Sequence, residues 1–80
     1  MDIKILGTGC SKCKTLEQMT FDAVAELDVI ANILKVTDIM EIMKYGVMST
    51  PGLVINNKVV LSGRLPSKEE IKTIILKNNG

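Results

Sequence analysis

The stretch YGVMSTPGLVI, residues 45–55, decides how this chain is read. Gly52 to Ile55 has the apolar, β-branched run of a strand, and Lys58 to Leu61 has that of a second. Asn56-Asn57 between them is a two-residue turn, because Asn tolerates the positive φ that such a hairpin turn demands. Pro51 stands immediately before the first of these strands. Proline cannot donate to a sheet ladder, so this position needs a special reason; a cis X-Pro bond in a tight turn is one, and an ordinary trans proline opening the strand is the other.

Working outward, Tyr45-Gly46 ends a short helix that begins after Asp38. Asp38 with Glu41 three residues on has the form of a capping box, the helix runs through Lys44, and Ile39, Ile42 and Met43 should face its core. Ala31 to Val36 precedes it as a strand. Asp2 to Leu6 is another strand, broken at Gly7 to Gly9. From Cys13 the apolar positions Leu16, Met19, Ala23, Val24 and Leu27 form a helical stripe that carries Cys13 on its inward face, with Phe21 off the stripe. After the hairpin, Ser67 with Glu70 is a second capping box, and Ile71, Ile74 and Ile75 give the last helix its buried side before the KNNG tail. The order is β-α-β-α-β-β-α. Strands joined through a helix are parallel and a hairpin is antiparallel, so the fold class is α/β, a four-stranded mixed sheet with three helices on both faces.

Composition narrows the function. Eighty residues make one domain, 1–80, with a core built from Ile, Leu, Val and Met, since the chain has one Phe, one Tyr and no Trp. The net charge of +1, with both signs interspersed, gives no concentrated positive field, so neither nucleic acid nor a membrane surface is expected as a partner. The apolar run at the start stops at Gly7, too short for a signal-peptide core or a span. The expected compartment is the cytoplasm, where a persistent structural disulfide is unusual. The absence of histidine excludes Ser-His and Cys-His hydrolysis and His-ligated zinc.

What remains is the pair Cys10 and Cys13 in GTGCSKCKTL, residues 7–16. In this reading Cys10 lies where the first strand hands over to the first helix. There, unpaired N–H groups from Ser11 onward and the positive end of the helix dipole favour the thiolate, and Lys12 and Lys14 add positive charge. Cys13, one turn on and facing the sheet, is shielded and set to attack a mixed disulfide from within. As a staple the bridge would close so short a loop that it stabilises by only about 2 kcal/mol, against more than ~4 across most of the chain. As a zinc site the pair supplies half of the four ligands needed; two-coordinate Cu(I), which favours thiolates, stays open.

The two motifs together resemble the thioredoxin superfamily. Tyr45, Gly46, Val47, Thr50, Pro51 and the strand Leu53 to Ile55 match its Tyr-Gly-aliphatic-x-x-x-Pro-strand signature, and the Cys-x-x-Cys follows the first strand as the family expects. More narrowly, the chain is similar to the small glutaredoxin-like redox-active disulfide proteins of archaea and bacteria, with Gly-x-x-Cys-x-x-Cys in place of Trp-Cys-Gly-Pro-Cys. The resemblance implies a thioredoxin-like fold with a cis Pro51, Cys10 as nucleophile and Cys13 as resolving thiol. It also implies Thr50, Pro51 and Gly63 as the platform for a substrate strand and a redox-active Cys10-Cys13 disulfide with no bound cofactor. The implied activity is thiol-disulfide exchange by a cytoplasmic monomer on client protein disulfides or small-molecule disulfides, with a flavin-dependent, thioredoxin-reductase-like electron donor. Ser62-Gly63 stands near the place of the glutaredoxin Gly-Gly pair with one extra residue, which leaves glutathione use open. No acid between Ile3 and Gly9 stands where thioredoxins place a carboxylate behind the resolving cysteine. Two other readings use the same chain: a Cu(I) carrier holding metal on Cys10 and Cys13, although such carriers follow a β-α-β-β-α-β order, and a docking module without turnover.

Overall fold

A computed structural model describes residues 1–9, 11–47 and 49–78. In chain order the elements are β1 (Asp2–Leu6), α1 (Ser11–Leu27), β2 (Asn32–Val36), α2 (Ile39–Lys44), β3 (Gly52–Ile55), β4 (Lys58–Ser62) and α3 (Lys68–Asn78). The expected order therefore stands. Two boundaries move: β2 starts one residue later, at Asn32, and β4 continues one residue further, to Ser62.

The strands lie in the order β2-β1-β3-β4. β1 is parallel to β2, and both β1–β3 and β3–β4 are antiparallel. The hairpin turn has Asn56 and Asn57 at φ of 51° and 67°, the left-handed conformation that fits the twist of the strands it joins. A bulge opposite Leu53/Val54 lets Leu61 face Leu53 while Val59 faces Val54, so Val60 is the extra residue of β4.

Alternation along β1 and β3 sorts their side chains onto two faces. Ile3, Ile5, Leu53 and Ile55 join Leu16 and Ala23 of α1, Ile71 and Ile75 of α3, and Leu61, in one buried cluster. Leu6 and Val54 point the other way and, among the described residues, form a smaller buried cluster with Ile42 and Val47, with Val36, Tyr45 and Val59 at the edge. Because the central strand β3 is covered on both faces, all four of its residues are buried, which is why it reads as a continuous apolar run.

The helix ends differ in part from the capping boxes expected. Asp38 accepts a hydrogen bond from the Met40 N–H at 2.9 Å, and Ser67 Oγ accepts one from the Glu70 N–H at 3.2 Å, so both N-caps form. The acids do not return to their caps. Glu41 pairs with Lys44 at 3.0 Å, and Glu70 pairs with Arg64 through the two terminal guanidinium nitrogens, Nη1 and Nη2. Each finds a full positive charge within reach, and a carboxylate bonds a cation more strongly than a neutral N–H.

A second correction concerns α2. Of the three residues expected to face its core, Ile42 is buried, whereas Ile39 and Met43 are exposed. A six-residue helix has under two turns, and this one leaves a gap beside the sheet: Ile39 and Met43 line an open groove with Thr8, Gly46, Val47 and Thr50. On α1, Cys13, Leu16, Thr20 and Ala23 are buried, Met19, Val24 and Leu27 are partly covered, and Phe21 is exposed.

Candidate active site

The register of the central strands builds the site. β1 runs into the cysteine loop at its C-terminal end and β3 starts from Thr50-Pro51 at its N-terminal end, and the antiparallel pairing sets Leu6 opposite Gly52. Residues 7–9 and 49–51 thus emerge at one end of the sheet. Thr8, two residues before Cys10, and Thr50 line the same groove.

Cys10 and Met48 lie outside the described residues. The nucleophile expected at the strand-to-helix junction is therefore defined by its neighbours: Gly9 on one side, and Ser11, the first residue of α1, on the other. The Ser11 carbonyl accepts from Thr15 Oγ1 at 3.0 Å, and Lys12 and Lys14 both sit exposed in the first turn. No acidic residue occupies that turn, so nothing there offsets the positive end of the helix.

Cys13 is 5 % exposed, on the face of α1 turned toward the sheet, as its helical phase requires. It reaches that depth because residue 7 is glycine. A Cβ on Gly7 would lie 2.4 Å from Cys13 Sγ and 2.7 Å from Cys13 Cβ, closer than atoms can approach. This pairing went unread in the sequence, where Gly7 stood only for the end of a strand. The available signal was a glycine immediately after a strand, a mark of close approach by another group.

The Thr50–Pro51 peptide bond is cis. Pro51 is buried and its carbonyl accepts a hydrogen bond from the Gly63 N–H at 2.9 Å, so the third of the expected platform residues is tied directly to the second. Gly63 takes φ of 77°, open to glycine without strain, and a Cβ there would press on Ser49 Cβ at 3.4 Å. Thr50, Pro51 and Gly63 are therefore brought together, and Ser11, Lys12, Lys14 and Cys13 occupy the first turn of α1 at the same end of the sheet.

Behind Cys13 lies a small cavity of ≈ 50 Å³ lined by Ile5, Gly7, Gly9, Lys14, Glu17, Lys35 and Thr37 as well as the cysteine. Glu17 and Lys35, both in its lining, form an ion pair at 3.3 Å. No acid lies between Ile3 and Gly9, but Glu17 sits one turn along the helix from Cys13, a spacing that puts both on one face. On the opposite side of the sheet, Lys4 Nζ donates to Tyr45 Oη at 2.8 Å, and that contact holds the Lys4 ammonium above its ordinary range. Tyr45 of the motif is thus anchored to β1.

A mixed sheet of this order, with a buried Cys13 at the start of α1 and a cis X-Pro before β3, defines the thioredoxin-like class of α/β redox protein. The chain belongs to the thioredoxin domain family, which it matches over residues 1–76. It is similar to the thioredoxin of Methanothermobacter thermautotrophicus, 40% identical over 75 residues that cover 94% of this chain and 97% of the relative. It is also similar to the thioredoxin of Methanocaldococcus jannaschii, 46% identical over 70 residues that cover 88% and 80%.

Among the described residues no group of three or more acidic, cysteine or histidine side chains is arranged to hold a metal ion, and no helix is long and apolar enough to cross a membrane.

Proposed function

We propose that the chain is a thiol-disulfide oxidoreductase of the cytoplasm that reduces protein or small-molecule disulfides through Cys10 and Cys13. The Cys10 thiolate attacks one sulfur of the client disulfide; the client's S–S bond breaks, a Cys10–client bond forms, and the other client sulfur leaves as thiolate. Cys13 then loses its proton and attacks Cys10 Sγ, so that the mixed disulfide breaks and the Cys10–Cys13 disulfide forms. Two electrons pass from the cysteine pair to the client. The pair is restored by a dithiol donor, for which a flavin-dependent, thioredoxin-reductase-like enzyme fits the resemblance.

The observation that carries this reading is Cys13 itself. It is buried against Gly7, out of reach of a bulky client, while Thr8, two residues before Cys10 in sequence, lines an open groove with Thr50. One thiol is placed for resolution and the neighbouring surface for capture. Thr50 offers backbone groups along which an extended client segment can lie, and the hydrogen bond between Pro51 and Gly63 fixes the platform beside it.

Cys13→Ser should trap a covalent client adduct through Cys10, visible as a mass shift that dithiothreitol reverses, while Cys10→Ser should neither trap nor reduce insulin disulfides. If Cys13→Ser traps nothing and Cys10→Ser keeps full reductase activity, the roles are wrong. Tight 1:1 binding of Cu(I) against a strong chelator, without disulfide reductase activity, would support the carrier reading instead.

A further inference from the structure

Resolution requires a proton to leave Cys13, because only the thiolate is nucleophilic. Cys13 is buried, the chain contains no histidine, and the cavity behind the sulfur is the route by which that proton can go. The charged groups facing this cavity are Lys14 and Glu17 from α1 and Lys35 from β2; Ile5 and Gly7 of β1 and the loop after it, together with Gly9 and Thr37, contribute no charge among the described residues. An ammonium has three donors and no acceptor, so neither lysine can take a proton. Glu17 is the one carboxylate among the described lining residues.

We propose that Glu17 is the proton acceptor for Cys13 in the resolving step, held in place by Lys35. The inference rests on the thiol-disulfide reading above. Glu17 and Cys13 are four residues apart on one helix, so the carboxylate rises from the same face one turn away. The Glu17 side chain is only 25% exposed, whereas Lys35 is 60% exposed. The lysine thus reaches in from the edge strand β2 to fix the carboxylate at the cavity rim, with its own head toward water. Space of ≈ 50 Å³ is enough for water to link the two groups. In the step, the Cys13 S–H bond breaks, the proton passes to the Glu17 carboxylate, and the Cys13 electron pair forms the bond to Cys10 as the client thiolate departs. Glu17 then returns the proton to solvent at the exposed rim, so no other reactant is consumed. Lys14, on the same turn, lends positive charge to the thiolate as it forms.

The test uses the reduced full-length chain mixed with 5,5′-dithiobis(2-nitrobenzoate) in a stopped-flow instrument. Attack by Cys10 releases one coloured thiolate and resolution by Cys13 releases the second, so the two steps appear as two phases. In Glu17→Gln, which keeps size and hydrogen bonding, the first phase should stay within about two-fold of wild type. The second should slow by about ten-fold or more at neutral pH, in keeping with loss of a general base. The deficit should shrink as pH rises, because hydroxide takes over the proton. Lys35→Met should slow the second phase less, with Glu17→Asp between Gln and wild type. A second phase in Glu17→Gln with the wild-type rate and pH profile overturns the assignment and leaves the oxidoreductase reading standing. Release of only one equivalent of coloured thiolate by wild type overturns both.

Discussion

The two faces of the sheet are built for different work. Under α1 and α3, nine buried residues from five elements close one cluster, and the two helices are also clamped outside it by Glu26, which pairs with Lys68 at 2.5 Å and Lys72 at 2.7 Å. Under α2 only Leu6, Ile42, Val47 and Val54 are buried together, and Ile39, Met40 and Met43 remain exposed beside a groove of ≈ 500 Å³. The first face holds the fold; the second leaves the surface next to Thr50 open. The active-site end lies where the two meet, with Cys13 belonging to the dense side and Thr8 and Thr50 to the open one.

That contrast can be broken by substitution. Ile75→Ala, in the dense cluster, should cost about 2 to 5 kcal/mol in urea unfolding, from lost burial and the cavity left behind. Gly7→Ala should cost about 1 to 3 kcal/mol, because the new Cβ collides with Cys13 Cβ as well as Sγ and one element must move. The cost should fall in a Cys13→Gly background, a coupling that a mere loss of loop freedom would not produce. Met43→Ala or Ile39→Ala, on the open side, should change stability by no more than about 0.5 kcal/mol. A loss as large as that at Ile75 would mean that α2 is packed in solution as tightly as α3.

The smallest effect is in acid. The two lysines hold the Glu26 carboxyl at about 2, below the ordinary 4.5, chiefly through the hydrogen bond from Lys68. A folded-state value below the unfolded one means that the stabilisation is fully present above pH 4.5 and is lost as pH falls from there toward 2. Melting curves of Glu26→Gln should therefore show a shallower decline than wild type over that window. The pair is solvent-exposed, so the difference should shrink with added salt. Equal slopes would show that the clamp adds nothing to the dense face.

Much of this was legible in the chain because local chemistry and tertiary demand agree. Asn56-Asn57 specifies its turn, Asp38 and Ser67 cap their helices, and the Ile71/Ile75 spacing marks a buried side. The misread positions are those where a neighbour in space decides. Ile39 and Met43 sit at helical spacing from one another, yet periodicity says only that they share a face, and here that face lines an open groove. Thr20 is fully buried on the 13-16-20-23 stripe of α1, with its hydroxyl donating to the Leu16 carbonyl at 2.7 Å; counting apolar residues passes over it. The Glu17–Lys35 pair joins residues eighteen positions apart on a helix and an edge strand, a meeting fixed by how α1 lies over β2. Gly7 and Cys13 are likewise matched by contact alone.

The central claim, that Cys10 and Cys13 work as one redox couple, is tested most directly by equilibrating the chain in dithiothreitol buffers of graded potential, trapping thiols by alkylation and reading the mass. The account predicts a single two-electron transition in which both cysteines become protected together, with no state carrying one label accumulating. Two cysteines that stay alkylatable across the whole range, or that titrate separately, would contradict it.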